Sequence, residues 1–170
     1  VKAGYTFSGW TTGLQTYAGG APYTPTAGIT FNPVWTANTY TISFNSNQAT
    51  GGTLPSNQSW QTGATAVTLS GNTGALVKSG YTFGGWATTA TSTTPVTTYS
   101  TSASQIFYAI WTPVSYTITY ALAGGTSGLP TQENKRIGNS FTLAGTPTRA
   151  SYNFAGWSDS TTAYGAGATY

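Results

Sequence analysis

The chain holds two acids, Glu133 and Asp159, and neither His nor Cys. The commonest metal ligands, general bases and thiol nucleophiles are therefore missing. Two carboxylates can hydrolyse a glycosidic bond when they flank it. These two fall in different parts of one incomplete sequence copy, and neither recurs in the complete copy. Ser and Thr are abundant, but a hydroxyl without a base is no activated nucleophile. The turns Gly51-Gly52-Thr53 and Gly124-Gly125-Thr126 lack the Lys and helix signature of a phosphate loop. Asn57-Gln58-Ser59 is a formal glycosylation sequon and a weak signal. The expectation is a protein with no catalytic residue, metal or cofactor, and not an enzyme.

Binding chemistry has two candidates. Lys2, Lys78 and Arg149 each stand two residues before the Gly or Ser that opens an aromatic stretch. Their long stems can cover core surface while the charge stays in water; a ligand contact presented once per copy is the sharper alternative. The other candidate is Trp60. It lies five residues past Pro55, where the same offset past Pro130 gives Lys135. Trp60 therefore stands outside the repeated pattern, in a polar run spanning residues 56–62. An exposed Trp there could stack on a glycan or anchor a host surface protein. Packing against a neighbouring copy is the plainer reading.

The aromatic stretch itself organises the chain. Gly80-Tyr81-Thr82-Phe83-Gly84-Gly85-Trp86 recurs as Gly4-Tyr5-Thr6-Phe7-Ser8-Gly9-Trp10 and as Ser151-Tyr152-Asn153-Phe154-Ala155-Gly156-Trp157. The tryptophans set the period: 86 − 10 = 76 and 157 − 86 = 71. Recurrence at such spacing marks a tandem array. Large aromatics are the anchors a small repeat needs. The expected core is therefore Tyr5, Phe7, Trp10, Tyr81, Phe83, Trp86, Tyr152, Phe154 and Trp157, with Trp35 and Trp111 ending the closing strands. The Gly before each Trp implies a backbone conformation or a close approach that a Cβ would block.

The elements that carry these residues read as strands. Tyr40-Thr41-Ile42-Ser43-Phe44 alternates with period two and recurs as Tyr116-Thr117-Ile118-Thr119-Tyr120. The paired glycines that follow suggest hairpins returning through residues 66–69 and 140–143. Residues 105–111 match residues 29–35 as a closing strand, and Pro33 confines the earlier one to an edge or an irregular end. Residues 36–38 and 112–115 are short joints. This divides the chain into residues 1–35, the back part of a copy; 36–111, a complete copy of about 76 residues; and 112–170, a copy without its closing strand.

Composition supports a mostly β fold, α+β at most. Aromatics make up 15% while charged residues make up 4%, so β formers dominate and helix formers are scarce. A net charge of +3 from five bases is no nucleic-acid footprint. No apolar run could span a bilayer. The chain opens on Val without a signal peptide, which fits a mature or excerpted segment. The absence of Cys excludes a disulfide framework.

The order Tyr-Thr-Ile-Ser-Phe, Gly-Gly-Thr, Val-Thr-Leu, Lys-x-Gly-Tyr-Thr-Phe-x-Gly-Trp and Tyr-Ala-Ile-Trp resembles the Listeria–Bacteroides repeat, the B-repeat type of internalin-like surface proteins. The resemblance covers nearly the whole chain and is most specific at residues 80–86 and 107–111. It implies tandem β-grasp-like mini-domains, each a small sheet over a short helix or helical turn. It also implies a stalk or adhesion role in an extracellular bacterial protein. The partners expected are neighbouring copies, with a glycan, a host protein or self-association through an open sheet edge as alternatives.

Overall fold

The structure is a computed structural model that describes all residues from Val1 to Tyr170. In chain order the strands are β1 (Tyr5–Thr11), β2 (Thr16–Tyr17), β3 (Asn32–Ala37), β4 (Thr39–Asn45), β5 (Gln58–Gln61), β6 (Val67–Thr68) and β7 (Tyr81–Ala87). They continue with β8 (Thr98–Tyr99), β9 (Gln105–Pro113), β10 (Ser115–Ile118), β11 (Glu133–Arg136), β12 (Gly156–Ser158) and β13 (Ala163–Gly165). There is no helix. The short helix implied by the resemblance is absent for a local reason. The connection from β5 to β7 carries Gly63, Gly71, Gly74 and Gly80, and each glycine disfavours a helix interior by about 1 kcal/mol.

Two compact units form, Val1–Ser79 with Phe83–Trp111, and Gly80–Thr82 with Thr112–Tyr170. The first unit contains a three-stranded sheet of order β2-β1-β3. β1 and β3 run antiparallel, with Tyr5 opposite Ala37 and Trp10 opposite Pro33. β3 is an edge strand, as Pro33 requires. The complete copy forms a mixed sheet of order β5-β4-β9-β7. β4 pairs antiparallel with β5 and parallel with β9. β9 lies inside this sheet, and Phe107, Ala109 and Ile110 are buried along it. Ile42, Phe44, Trp60, Leu69, Leu76, Trp86, Tyr99, Phe107 and Ala109 make one cluster. Fully burying side chains such as Ile42 and Phe107, both 0% exposed, contributes about 1.5–3 kcal/mol each.

The returning strands differ from the sequence expectation. β4 pairs with β5, not with residues 66–69, and β10 pairs with β11, not with residues 140–143. The paired glycines are no tight hairpin; Gly51 instead bridges to Val77. Val67 and Thr68 pair with Tyr99 and Thr98. Burial decides the choice: pairing β4 with β5 puts Trp60 beside Tyr40 and under the core.

The joints shorten to one residue each, Asn38 and Val114. Within the first unit, Asn38 N–H donates to the Gly4 carbonyl at 2.9 Å, and the Asn38 carbonyl accepts Thr62 N–H at 3.0 Å. Within the second unit, Val114 makes the same two bonds with Gly80 (2.8 Å) and Ile137 (3.2 Å).

Candidate functional site

The recurring stretch begins with a tight turn. Tyr5 N–H donates to the Lys2 carbonyl and Tyr152 N–H to the Arg149 carbonyl, both at 3.1 Å. The third turn residue has positive φ: +78° at Gly4, +75° at Gly80 and +65° at Ser151. Glycine adopts this region freely, whereas an L side chain pays about 1–2 kcal/mol. The turn also brings the base back over its own aromatic. Lys2 Nζ lies 3.9 Å from the Tyr5 ring centroid, and the Arg149 guanidinium carbon lies 4.1 Å from that of Tyr152. These are cation–π distances. Lys2 and Arg149 therefore each cap the face of their own tyrosine. Lys78 Nζ also meets Gln48 Oε1 at 3.5 Å.

After the turn, each copy builds the same aromatic pair. The Phe and Trp rings stand 5.2 Å apart and edge to face for Phe7–Trp10, Phe83–Trp86 and Phe154–Trp157. Edge-to-face packing suits the ring quadrupole. Trp35 and Trp111 close against the same Phe at 5.6 and 5.8 Å. The Gly before each Trp sits at φ +141° (Gly9), +113° (Gly85) and +142° (Gly156). A Cβ at Gly9 or Gly156 would strike the Tyr17 or Tyr164 carbonyl oxygen, and at Gly85 it would crowd Pro95. In β1 the strand register shifts between Phe7 and Gly9, a bulge that turns Trp10.

Burial along these residues is uneven. Trp86 is 3% exposed, covered by Phe44 at 4.6 Å, and its indole N–H donates to the Ser70 carbonyl at 2.7 Å. Trp157 is half-buried, with Tyr120 at 4.7 Å and a bond to the Ala144 carbonyl. Tyr5, Trp35, Tyr81, Phe83, Trp111 and Phe154 are also half-buried. Phe7, Trp10 and Tyr152 depart from the core expectation and are exposed. Tyr152 turns its ring face to Arg149 instead.

Trp60 overturns the idea of an exposed stacking residue. It is 7% exposed, nearly parallel to Tyr40 at 6.2 Å, and donates its indole N–H to the Thr65 carbonyl at 3.2 Å. It packs within its own copy. Ser59 and Gln61, its strand neighbours, take the opposite face, so the run is polar without being wholly exposed.

The two acids are engaged locally. Glu133 pairs with Lys135 at 2.5 Å. Asp159 Oδ1 accepts Thr161 N–H, Thr161 Oγ1–H and Thr162 N–H at 3.0, 2.7 and 2.8 Å, and Oδ2 accepts the Tyr164 hydroxyl at 3.0 Å. These bonds, the Thr161 hydroxyl foremost, hold the carboxyl well below its ordinary value of 3.8. Such a group stays ionised and is a poor proton donor. Desolvation and the facing Asp159 raise the Tyr164 hydroxyl.

The sequence matches the Listeria–Bacteroides repeat domain over residues 1–32, 40–110 and 116–170. The chain belongs to the Listeria–Bacteroides repeat family. It is also 31% identical, over 166 residues, to a protein of Evansella cellulosilytica whose name describes a Gly-rich membrane protein. That match covers 92% of this chain and 18% of the relative, so the chain spans under a fifth of that length. No solved structure matches. The Listeria–Bacteroides repeat is a repeat-domain family rather than an enzyme family. Sequence reading missed β5 and β11 as strands of the repeat. The signal available was Trp60 itself, flanked by Ser59 and Gln61 in period-two alternation.

Proposed function

We propose that the chain is a stretch of a stalk in an extracellular bacterial surface protein, holding distance and performing no chemistry. The observation that carries this is the joint. Asn38 and Val114 are single residues, and each is fixed by the same pair of backbone bonds. A one-residue joint bonded on both sides limits swing, as a spacer requires. Occurrence of these repeats in bacterial surface proteins, and a relative named for the membrane, support the location. The order β5-β4-β9-β7 with a parallel central pair supports a β-grasp-like copy over residues 36–111, with turns in place of the helix. Partial copies over residues 1–35 and 112–170 complete the division. The adhesion alternative loses its motive with Trp60 buried.

A stalk must bear load. Pulling the 170-residue chain from its two ends tests this. The expected trace has one force peak for the complete copy, releasing about 25 nm of unfolded chain for its 76 residues. Extension without a force peak would count against the stalk.

A further inference from the structure

We propose that the segment between β7 and β9 is an acceptor for O-linked sugar, received on Thr91, Thr93, Thr94 and Thr97. Residues 88–104 lie in the complete copy and connect Ala87 to Gln105. Twelve of these seventeen residues are Ser or Thr, and the segment holds one Pro, no Gly and no charge. A run this dense in hydroxyls and interrupted by Pro has the composition of sugar-bearing stalks.

The fold turns that composition into a display. The segment is pinned from below at two points. Val96 N–H donates to the Trp86 carbonyl at 2.7 Å, and Val96 packs against the core. Tyr99 is buried, and its hydroxyl donates to the Ala103 carbonyl at 2.7 Å. Of the twelve Ser and Thr residues, all but Ser92 are exposed. Some of these hydroxyls serve the fold: Ser92 accepts Thr94 N–H, Ser102 meets the Thr62 hydroxyl, and Ser104 accepts Thr41 N–H. Loop hydroxyls commonly bond nearby backbone in this way. The hydroxyls of Thr91, Thr93, Thr94 and Thr97 bond no other group of the protein. Pro95 stands among them and keeps the chain beside it out of a helix. The four acceptors therefore lie on open backbone, held in place by Val96 and Tyr99.

The chemistry is a glycosyl transfer catalysed by a separate transferase. The Thr Oγ attacks the anomeric carbon of a sugar phosphate donor, nucleotide- or lipid-linked. The Oγ–carbon bond forms, the bond from that carbon to the phosphate oxygen breaks, and its electron pair leaves with the phosphate. The hydroxyl proton passes to a base of the transferase, a group this chain does not supply. Hydration is the gain. With 4% charged residues, the chain has little charge to keep it soluble and apart from its neighbours. Attached sugar is bulky and solubilising. The acceptor role does not rest on the stalk reading. An unmodified segment leaves the stalk standing, and a missing force peak leaves the sugar standing.

Peptide mass spectrometry of the full protein, isolated from the cells that make it, is the test. No Lys or Arg lies between Lys78 and Lys135, so trypsin releases the whole segment in one peptide. That peptide is expected to exceed its sequence mass by whole sugar units, placed by fragmentation on Thr91, Thr93, Thr94 and Thr97. Mild alkali, which eliminates O-linked sugar, should strip the excess. Thr91→Ala, Thr93→Ala, Thr94→Ala and Thr97→Ala together, made in the same cells, should abolish it. The near-ultraviolet dichroism of the complete copy should stay unchanged in that variant, because all four side chains are exposed. A wild-type peptide at its bare sequence mass overturns the proposal. So does sugar placed only on other residues, or an excess that survives the fourfold substitution.

Discussion

Trp86 and Trp60 are buried by different partners in the same copy. Trp86 lies against Phe44 and Phe83 and bonds Ser70, while Trp60 lies against Tyr40 and bonds Thr65. Truncating a buried Trp costs about 3–5 kcal/mol. A core of this size supplies about 3–5 kcal/mol in total. Trp86→Ala and Trp60→Ala should therefore each abolish the folded complete copy, read as loss of the near-ultraviolet melting transition. Either variant melting within a few degrees of wild type would contradict the packing described. Trp86 was legible in the sequence because it recurs. Trp60 was not, because its polar neighbours suggested exposure. In a strand alternate side chains face opposite ways, so Ser59 and Gln61 carry no information about the face of Trp60.

At the scale of the element, the β12–β13 turn is tied by one carboxylate. Asp159 accepts four hydrogen bonds there, and its folded value is lowered. The ionised form is bound more tightly by the folded turn than by the unfolded chain. Its contribution is thus fully present above pH 3.8 and is lost progressively as pH falls below it. Amide exchange in residues 158–165 should quicken on acidification through that range, and Asp159→Asn should flatten the dependence. An acid response identical in the two proteins would remove Asp159 as the tie. Strands β4, β7 and β9 were legible from alternation and aromatics. The partner of β4 was not, because Gly51 and Gly52 resemble a hairpin and only tertiary burial selects β5. The helix implied by resemblance gave way to four glycines between β5 and β7.

At the scale of the whole molecule, the repeat spacing and the family were readable from the recurring aromatics. The economy of the joints was not, since residues 36–38 and 112–115 look like polar linkers while β3 and β9 extend through most of them. Strand pairing continues to Ala37 because it meets Tyr5 across the sheet. That leaves one residue per joint, and the stalk reading depends on it. Small-angle scattering from tandem arrays of one, two and four complete copies measures the consequence. The account predicts a maximum dimension that grows by an equal increment with each added copy. A profile whose length fails to grow with copy number, as copies fold back into a globule, would contradict it.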